Sequence, residues 1–236
     1  MKILVIGGGG FLGRRIVEIA LERNHSVSVF DIKKTFDDDK LDTYFVGDLG
    51  VLDDLITAFT GMEVIIHTAS PPHGANAALY HAVNVQGTGN ILSAARTAGV
   101  PKLVFTSSAS VIYNGNDMIN ADETTPYCDV HMDAYNESKA LAELLVLESN
   151  APGRLLTVAL RPSGIFGPRD AQGSLAMAQA AKRGQWRVMI GSNDNLFDMT
   201  YVDNAAYAHI LAAEKIGKDD GIAGQVCLHS ESDTKD

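Results

Sequence analysis

The chain has 236 residues, of which 46% are hydrophobic and 20% are charged. This composition is typical of a folded globular protein and excludes an intrinsically disordered chain, which would be more polar and more highly charged. The 19 basic and 29 acidic residues give a formal net charge of −10, which argues against a nucleic-acid partner, because such proteins need a basic face.

Short apolar segments alternate with amphipathic segments along the first two thirds of the chain. In the first amphipathic segment, Leu12, Ile16 and Ile19 stand at helical spacing. The longest predicted helix ends at Gly99, with Pro101 just beyond it, which is a normal helix stop. Strands are predicted at residues 2–6, 26–30, 44–46, 63–67, 102–106 and 155–160, and helices at 11–23, 52–59, 78–98 and 134–148.

This alternation predicts an α/β fold with a doubly wound parallel Rossmann sheet. Parallel strands need crossover helices, and right-handed crossovers place those helices on both faces of the sheet. Ligands of such a fold bind at the carboxyl ends of the strands. We therefore expect the functional residues to follow the strands.

The pattern changes from Gly164 onward. A helix at 174–183, a short strand at 187–190 and a helix at 202–215 predict the start of a second, smaller lobe. The last ten residues, 227–236, are polar and unpatterned, which predicts a frayed tail.

The two cysteines and the N-terminus bear on the compartment. Cys128 and Cys227 cannot form a disulfide framework and lack the spacing of zinc ligands, so we expect a reducing compartment and no metal. No apolar run reaches the roughly 20 residues of a membrane helix. The apolar residues 2–6 run directly into four glycines, which favours a first strand over a cleaved signal peptide.

A glycine motif of the form G-x-x-G-x-x-G lies between the first predicted strand and the first predicted helix. Glycines let a backbone approach a pyrophosphate, and a helix N-terminus offers free N–H donors. Asp31 ends the second predicted strand, where a carboxylate accepts ribose hydroxyls and repels a 2′-phosphate. This favours NAD, although Lys33 and Lys34 leave NADP open. The motif glycines are Gly7, Gly10 and Gly13.

Tyr135 and Lys139 stand four residues apart on a predicted helix and therefore share one of its faces. An unperturbed tyrosine has a pKa of about 10 and is a poor base at neutral pH. A nearby ammonium lowers that pKa, which turns the phenol into a proton-transfer group. Ser107 and Ser108 follow the fifth predicted strand, where a hydroxyl could hold a substrate oxygen near the tyrosine.

Together these features resemble the extended branch of the short-chain dehydrogenase/reductase superfamily. Four further segments narrow the resemblance to the 3β-hydroxysteroid dehydrogenase family, and within it to members that act on 4α-carboxysterols. The likeness covers about residues 2–226. The four segments are 105–111, 133–140, 160–170 (with RPSGIFGPRD) and 198–204 (DMTYVDN) together with 209–214.

The resemblance implies three catalytic residues. Tyr135 would accept the proton of the 3β-hydroxyl, and Lys139 would lower the pKa of Tyr135 and hold the nicotinamide ribose. Ser108 would orient the reacting oxygen, with Ser107 as the alternative if the register shifts by one. Asn84 is implied to be structural. The residues implied to contact NAD are Gly7, Gly10, Phe11, Leu12, Gly13, Asp31, Asp48, Leu49, Thr68, Ala69, Ser70, Tyr135, Lys139 and Pro162.

The activity implied by the resemblance is NAD-dependent oxidation of a sterol or steroid 3β-hydroxyl in sterol biosynthesis. With a 4α-carboxysterol, the product is a β-keto acid, which loses CO₂ readily. Two alternatives stay open. One is another extended family activity on a nucleotide sugar or a small ketone, and the other is a truncated cofactor-binding protein without turnover.

The resemblance also implies a domain plan and partners. Residues 1–163 would form the NAD-binding Rossmann domain, 164–226 a partial, truncated substrate lobe, and 227–236 a polar tail, because family members continue past this end. A homodimer through the long helices is implied, with no nucleic acid and no integral membrane segment. The expected location is the cytoplasm, with the cytosolic face of the endoplasmic reticulum as a further expectation.

Overall fold

The computed structural model describes residues 1–171, 173–187, 191, 192, 194, 196–218 and 221–229. Strands within these residues form two parallel sheets. The strands in chain order are β1 (Lys2–Ile6), β2 (Ser26–Asp31), β3 (Thr43–Val46), β4 (Val64–His67), β5 (Lys102–Thr106), β6 (Leu156–Pro162), β7 (Gly164–Phe166), β8 (Met199–Tyr201) and β9 (Val226–His229).

The larger sheet has the strand order β3-β2-β1-β4-β5-β6-β9. Each neighbouring pair is parallel. The chain runs outward from β1 to β3 and then returns to β4 on the other side of β1. The strand order therefore reverses between β1 and β4, which opens a crevice at their carboxyl ends. The predicted doubly wound fold is confirmed.

Helices cover both faces of this sheet. They are α1 (Phe11–Glu22), α2 (Leu52–Phe59), α3 (Ala77–Tyr80), α4 (Gly87–Ala98), α5 (Ala134–Glu148), α6 (Gly173–Lys182) and α7 (Val202–Lys215), with short 3₁₀ helices at Ala109–Ile112 and Gln185–Arg187. Among the described residues, no helix combines the length and the apolar character that a bilayer crossing requires.

Strand β1 shows why the sheet has two apolar layers. Because successive side chains of a strand point to opposite faces, Ile3 and Val5 pack with α1 and α7, whereas Leu4 and Ile6 pack with α2, α4 and α5. All four side chains are at most 1% exposed. Burying each contributes about 1.5–3 kcal/mol, so the continuous apolar run that predicted β1 also anchors the sheet.

The predicted helix at 78–98 is helical throughout but not uniform. A π-helical segment, His81–Gln86, joins α3 to α4. Such segments are rare and often mark functional sites. Here the segment carries Asn84, whose side chain is 1% exposed. Helix α4 ends at Gly99 in the left-handed conformation, φ 70°, as predicted.

The second half of the chain departs from the sequence prediction. Residues 227–229, predicted to begin a polar tail, lie in β9, which pairs with β6 from Ala159↔Val226 onward. Helix α7, predicted as part of the second lobe, packs against α1 in the main core. The short strands β7 and β8 were not predicted. A strand was predicted at 187–190, but Arg187 ends a 3₁₀ helix and residues 188–190 lie outside the described residues. The rest of the predicted tail, 230–236, also lies outside them.

Candidate active site

The turn between β1 and α1 leaves no room for side chains at two glycines. Gly7 has φ +77°, and a Cβ there would lie 2.7 Å from the Ala69 nitrogen. A Cβ on Gly13 would lie 2.1 Å from the Gly7 carbonyl oxygen. The turn is closed by a hydrogen bond of 3.0 Å from Gly10 N to Gly7 O. The backbone of the turn and the start of α1, at Phe11 and Leu12, therefore form a cradle at the carboxyl end of β1. Free backbone N–H groups at such a position are suited to a pyrophosphate.

Asp31 closes one side of this cradle. It is the last residue of β2, and its Oδ2 accepts a hydrogen bond of 2.9 Å from Gly9 N. Thr35 Oγ1 donates to Gly9 O at 3.2 Å. Of the two lysines that left NADP open, Lys34 forms an ion pair with Asp37. The carboxylate thus lies beside the glycine turn, where an adenosine ribose is expected.

The segments that follow β3 and β4 bring the other predicted cofactor contacts to the same edge. Thr68 Oγ1 donates to Ile6 O at 2.9 Å, which ties the end of β4 to β1. Leu49 O accepts from Asn90 Nδ2 at 2.8 Å, and Asp48 is exposed. Ser70 Oγ is buried and has no hydrogen-bond partner in the described residues. A buried hydroxyl without a partner calls for a polar ligand, so the residues present fit a dinucleotide.

Tyr135 lies at the start of α5, which is capped by Asp133 through a hydrogen bond of 2.8 Å from Asn136 N to Oδ1. The Ser108 side chain lies close enough to the Tyr135 phenol to lower the pKa of that phenol. The phenol ring packs edge-on against Tyr80, with centroids 5.6 Å apart. Ser108 also bonds to a second hydroxyl, Ser110 Oγ, at 2.8 Å. The Tyr135 phenol therefore lies between the Ser108 side chain and the ring of Tyr80.

Ser108, rather than its neighbour Ser107, is the serine at the phenol. The backbone nitrogen of Ser107 donates to Leu160 O at 2.7 Å. Its side chain is 2% exposed, and its Oγ has no partner among the described residues. Pro162 is buried at the end of β6, next along the sheet. The strand ends of β5 and β6 thus supply the remaining predicted positions.

Lys139 is buried one turn after Tyr135. Its Nζ donates to Thr106 O at 2.5 Å and lies 4.6 Å from the centroid of the Phe105 ring. Burial lowers the pKa of Lys139 to about 7, against the opposing effect of Glu143. An uncharged amine is favoured at this depth because few polar groups replace water.

The structure does not show the predicted lowering of the Tyr135 pKa by Lys139. Burial raises the pKa of Tyr135, and the hydrogen bond from Ser108 opposes that rise. Tyr80 and Asp133 add to the rise, and Lys139 is not among the groups that shift this pKa. The physical reason is that the amine points to the Thr106 carbonyl and is itself easily deprotonated.

Sequence reasoning missed a buried ion pair behind the site. Arg161 Nη2 lies 2.6 Å from Glu143 Oε1, and these side chains are 2% and 0% exposed. Tyr127 donates to the same oxygen at 2.5 Å. The pair joins β6, α5 and the loop before α5. The only available signal was Glu143 at four residues from Lys139 on the same helical face.

Asn84 and Ser138 support the start of α5 from the π-helical segment. Asn84 Nδ2 donates to Ser138 Oγ at 2.9 Å, and Ser138 Oγ donates to Tyr135 O at 2.8 Å. This contact agrees with the structural role predicted for Asn84. His67 is also buried nearby, with Nε2 3.1 Å from Thr88 Oγ1. Burial lowers its pKa to about 3, so it is a neutral packing group.

Comparison with known proteins identifies the family. Residues 4–231 match the 3-beta hydroxysteroid dehydrogenase/isomerase family. The chain belongs to this family. It is 48% identical over 240 residues to the sterol-4-alpha-carboxylate 3-dehydrogenase, decarboxylating, of Candida albicans, covering 95% of this chain and 68% of that protein. The human protein of the same name is 44% identical over 226 residues, covering 95% of this chain and 60% of its own length.

Solved structures agree with the fold of this 3-beta hydroxysteroid dehydrogenase/isomerase family member. The Thermus thermophilus UDP-glucose 4-epimerase in complex with NAD superposes with a TM-score of 0.75 at 31% identity, over 90% of this chain and 74% of that one. An Agrobacterium tumefaciens short-chain dehydrogenase/reductase superfamily protein with bound NAD gives a TM-score of 0.78 at 25% identity, over 98% and 77% of the two chains. The family resemblance predicted from the sequence is confirmed.

Proposed function

We propose that this protein oxidises the 3β-hydroxyl of a 4α-carboxysterol with NAD and releases the carboxyl group as CO₂. The observation that carries the proposal is the contact between Ser108 and the Tyr135 phenol, with Lys139 buried one turn further along α5. The named activity of the relatives at 48% and 44% identity supports the choice of substrate.

The glycine turn and the ends of β2 and β4 would hold the NAD. The cradle at Gly7 and Gly13 receives the pyrophosphate, Asp31 accepts the ribose hydroxyls, and the buried Ser70 hydroxyl gains a polar partner. When bound, NAD would supply the acceptor for the hydride that leaves C3 of the sterol.

Tyr135 would take the proton of the substrate hydroxyl as its phenolate, after its own proton has left to solvent. Ser108 would donate a hydrogen bond to the oxygen of the substrate hydroxyl and so orient that hydroxyl toward the phenol. Because burial raises the pKa of Tyr135, the phenol holds its own proton tightly unless positive charge is close. Lys139, with a pKa of about 7, can pass between its charged and neutral forms near neutral pH.

Loss of CO₂ follows from the product of oxidation. The new C3 ketone lies β to the C4 carboxylate, so the electrons of the breaking C–C bond flow into an enolate. No further acid is required at that carbon for the bond to break. The protein has only to form the ketone and hold it until CO₂ leaves.

We extend the proposal to assembly and location. Leu141 and Leu144 are 40% and 38% exposed on α5, three residues apart on one helical face. Covering them against a second copy of the chain would form a homodimer. Ile119 and Val130, 83% and 78% exposed in the loop before α5, are suited to contact the cytosolic face of a membrane such as the endoplasmic reticulum. The free cysteines fit a cytoplasmic location.

The test is a substrate screen on the purified chain. NAD binding is measured by calorimetry, NADH formation is followed with a 4α-carboxysterol and a flavanonol, and conversion of a UDP-sugar is followed by chromatography, because epimerisation releases no NADH. The proposal predicts that the sterol acid yields NADH and CO₂ in equal amounts and that the other two substrates yield no product. Turnover of the UDP-sugar instead would support the epimerase-like alternative favoured by the 31% identity to the UDP-glucose 4-epimerase. NAD binding without any turnover would overturn the proposed activity.

A further inference from the structure

The peptide group between Thr106 and Ser107 holds the buried amine of the site. Its carbonyl oxygen accepts from Lys139 Nζ at 2.5 Å. Its N–H, on the Ser107 side, donates to Leu160 O at 2.7 Å. This single peptide plane at the end of β5 therefore fixes the lysine amine on one edge and is fixed to β6 on the other.

His209, on α7, reaches the same residue through its side chain. His209 Nε2 lies 2.7 Å from Thr106 Oγ1, and its Nδ1 lies 2.7 Å from Ala205 O. A carbonyl oxygen can only accept, so Nδ1 carries the proton and donates to Ala205. Nε2 of the neutral ring then accepts from the Thr106 hydroxyl. The imidazole is 1% exposed and the threonine 7%.

The two contacts reach Thr106 from different layers of the core. Helix α7 packs in the layer that contains Val104, whereas α5 packs in the layer that contains Phe105. Lys139 lies on the Phe105 side. His209 is therefore across the sheet from the amine, and any effect on Lys139 passes through Thr106.

We propose that His209 is a positioning residue that fixes Thr106, and through it the carbonyl that holds the Lys139 amine. The proposal rests on the proposed dehydrogenase function, in which Lys139 belongs to the site. Without the imidazole, the Thr106 hydroxyl loses the side-chain partner that holds it to α7. The Thr106 carbonyl and the Lys139 amine then lose their common alignment.

The test compares variants that remove one partner each. Thr106→Val keeps the shape and removes the hydroxyl, and His209→Leu removes the acceptor. Thr106→Ser keeps the hydroxyl and is the conservative rescue. Thr157→Val is the matched control, because Thr157 is also fully buried and donates to a helix carbonyl, Val146 O at 2.8 Å, at the opposite end of β6.

The first readout is kinetic, with the 4α-carboxysterol as substrate. We expect Thr106→Val and His209→Leu each to lower kcat about tenfold to hundredfold, the range for a small misplacement of a reacting group. The Kd for NAD is expected to change less than about threefold. The double variant is expected to be no slower than the slower single variant, since both remove one link. Additive losses, or an equal loss in Thr157→Val, would overturn the proposal.

The second readout does not depend on turnover. The ¹⁵N and proton resonances of the Lys139 ammonium are recorded at pH 6, below its pKa of about 7. We expect them to shift in Thr106→Val and His209→Leu, and to return toward the parental position in Thr106→Ser. Unchanged resonances in both variants would refute the positioning role. This holds even if the parent protein turns over no sterol acid, so the two proposals fail separately.

Discussion

The two sides of the crevice at the carboxyl ends of the strands differ in the chemical groups that line them. We call them the glycine wall and the α5 wall. The glycine wall, formed by Gly7, Gly13 and the adjoining Asp31, is backbone with one carboxylate, and a Cβ on either glycine would overlap backbone atoms. The α5 wall, formed by Tyr135, Lys139 and Ser108, consists of polar side chains, of which Lys139 is buried and the other two are half-buried. In the proposed mechanism, NAD binding depends on the missing side chains of the glycine wall, whereas proton transfer depends on the polar side chains of the α5 wall.

From this difference we expect that substitutions in the α5 wall lower kcat without changing NAD affinity, and that substitutions in the glycine wall weaken NAD binding. The largest effect is expected for Tyr135→Phe, which removes the proton acceptor and little volume. We expect kcat for sterol-acid oxidation to fall about 10²–10⁴-fold, with NAD affinity within about threefold of the parent. Stopped-flow NADH formation and calorimetry measure the two quantities. Tyr207→Phe, at a tyrosine 46% exposed on α7, is the control, and equal rates in Tyr135→Phe and parent would remove Tyr135 from the chemistry.

On the glycine wall, Gly13→Ala is expected to weaken NAD binding at least about tenfold. The added methyl would meet the Gly7 carbonyl at 2.1 Å, and relieving such overpacking typically costs about 1–3 kcal/mol. Calorimetry with NAD gives the affinity. The matched control is Gly89→Ala in α4, where nothing lies within 4 Å of the new Cβ. Parental NAD affinity in Gly13→Ala would mean that the cradle does not bind the pyrophosphate.

We propose that the Asp31 carboxylate of the glycine wall sets the preference for NAD over NADP. Asp31→Ala is expected to weaken NAD about tenfold and NADP less, because hydrogen bonds to a charged group are worth about 1.5–3 kcal/mol. The ratio of the two dissociation constants, compared with that of Asp39→Ala at an exposed acidic residue, is the measurement. An unchanged ratio would place the adenosine ribose elsewhere.

The α5 wall also predicts a pH effect on stability. Burial lowers the pKa of Lys139 from 10.5 to about 7, so between these values the unfolded chain binds a proton that the folded chain does not. The free energy of unfolding therefore gains a term that rises with pH above about 7 and levels off near the unfolded pKa. Urea titrations of the parent and Lys139→Met at pH 7 and pH 9 are expected to show a smaller rise in the variant. Parallel pH dependence in both proteins would contradict this.

The sequence predicted the backbone of the site better than its electrostatics. The spacing of Gly7, Gly10 and Gly13 after an apolar strand specifies the turn, because a Cβ at Gly7 or Gly13 would overlap backbone atoms. Helix α5 was predicted at its observed bounds, since Asp133 caps it and apolar positions repeat at helical spacing. These features are local in sequence.

What the sequence did not predict depends on contacts between distant residues. The Lys139 amine binds a carbonyl 33 residues away, and His209 binds a side chain 103 residues away. Neither contact corresponds to a recognisable spacing of residues in the sequence. The four-residue strand β9 was missed because the polar residues after it dominate the average over the last ten positions. Its edge position beside β6 lets it form with a mixed sequence.

The most direct test of the central claim follows one atom. A 4α-carboxysterol deuterated at C3 is incubated with the protein and NAD, and the reduced cofactor and the sterol product are analysed by mass spectrometry. The account predicts one deuterium in each NADH, a 3-ketone lacking the C4 carboxyl, and formation of both products about 10²–10⁴-fold more slowly with Tyr135→Phe. Deuterium retained in the sterol while its carboxyl is lost, or transfer at the parental rate in Tyr135→Phe, would contradict it.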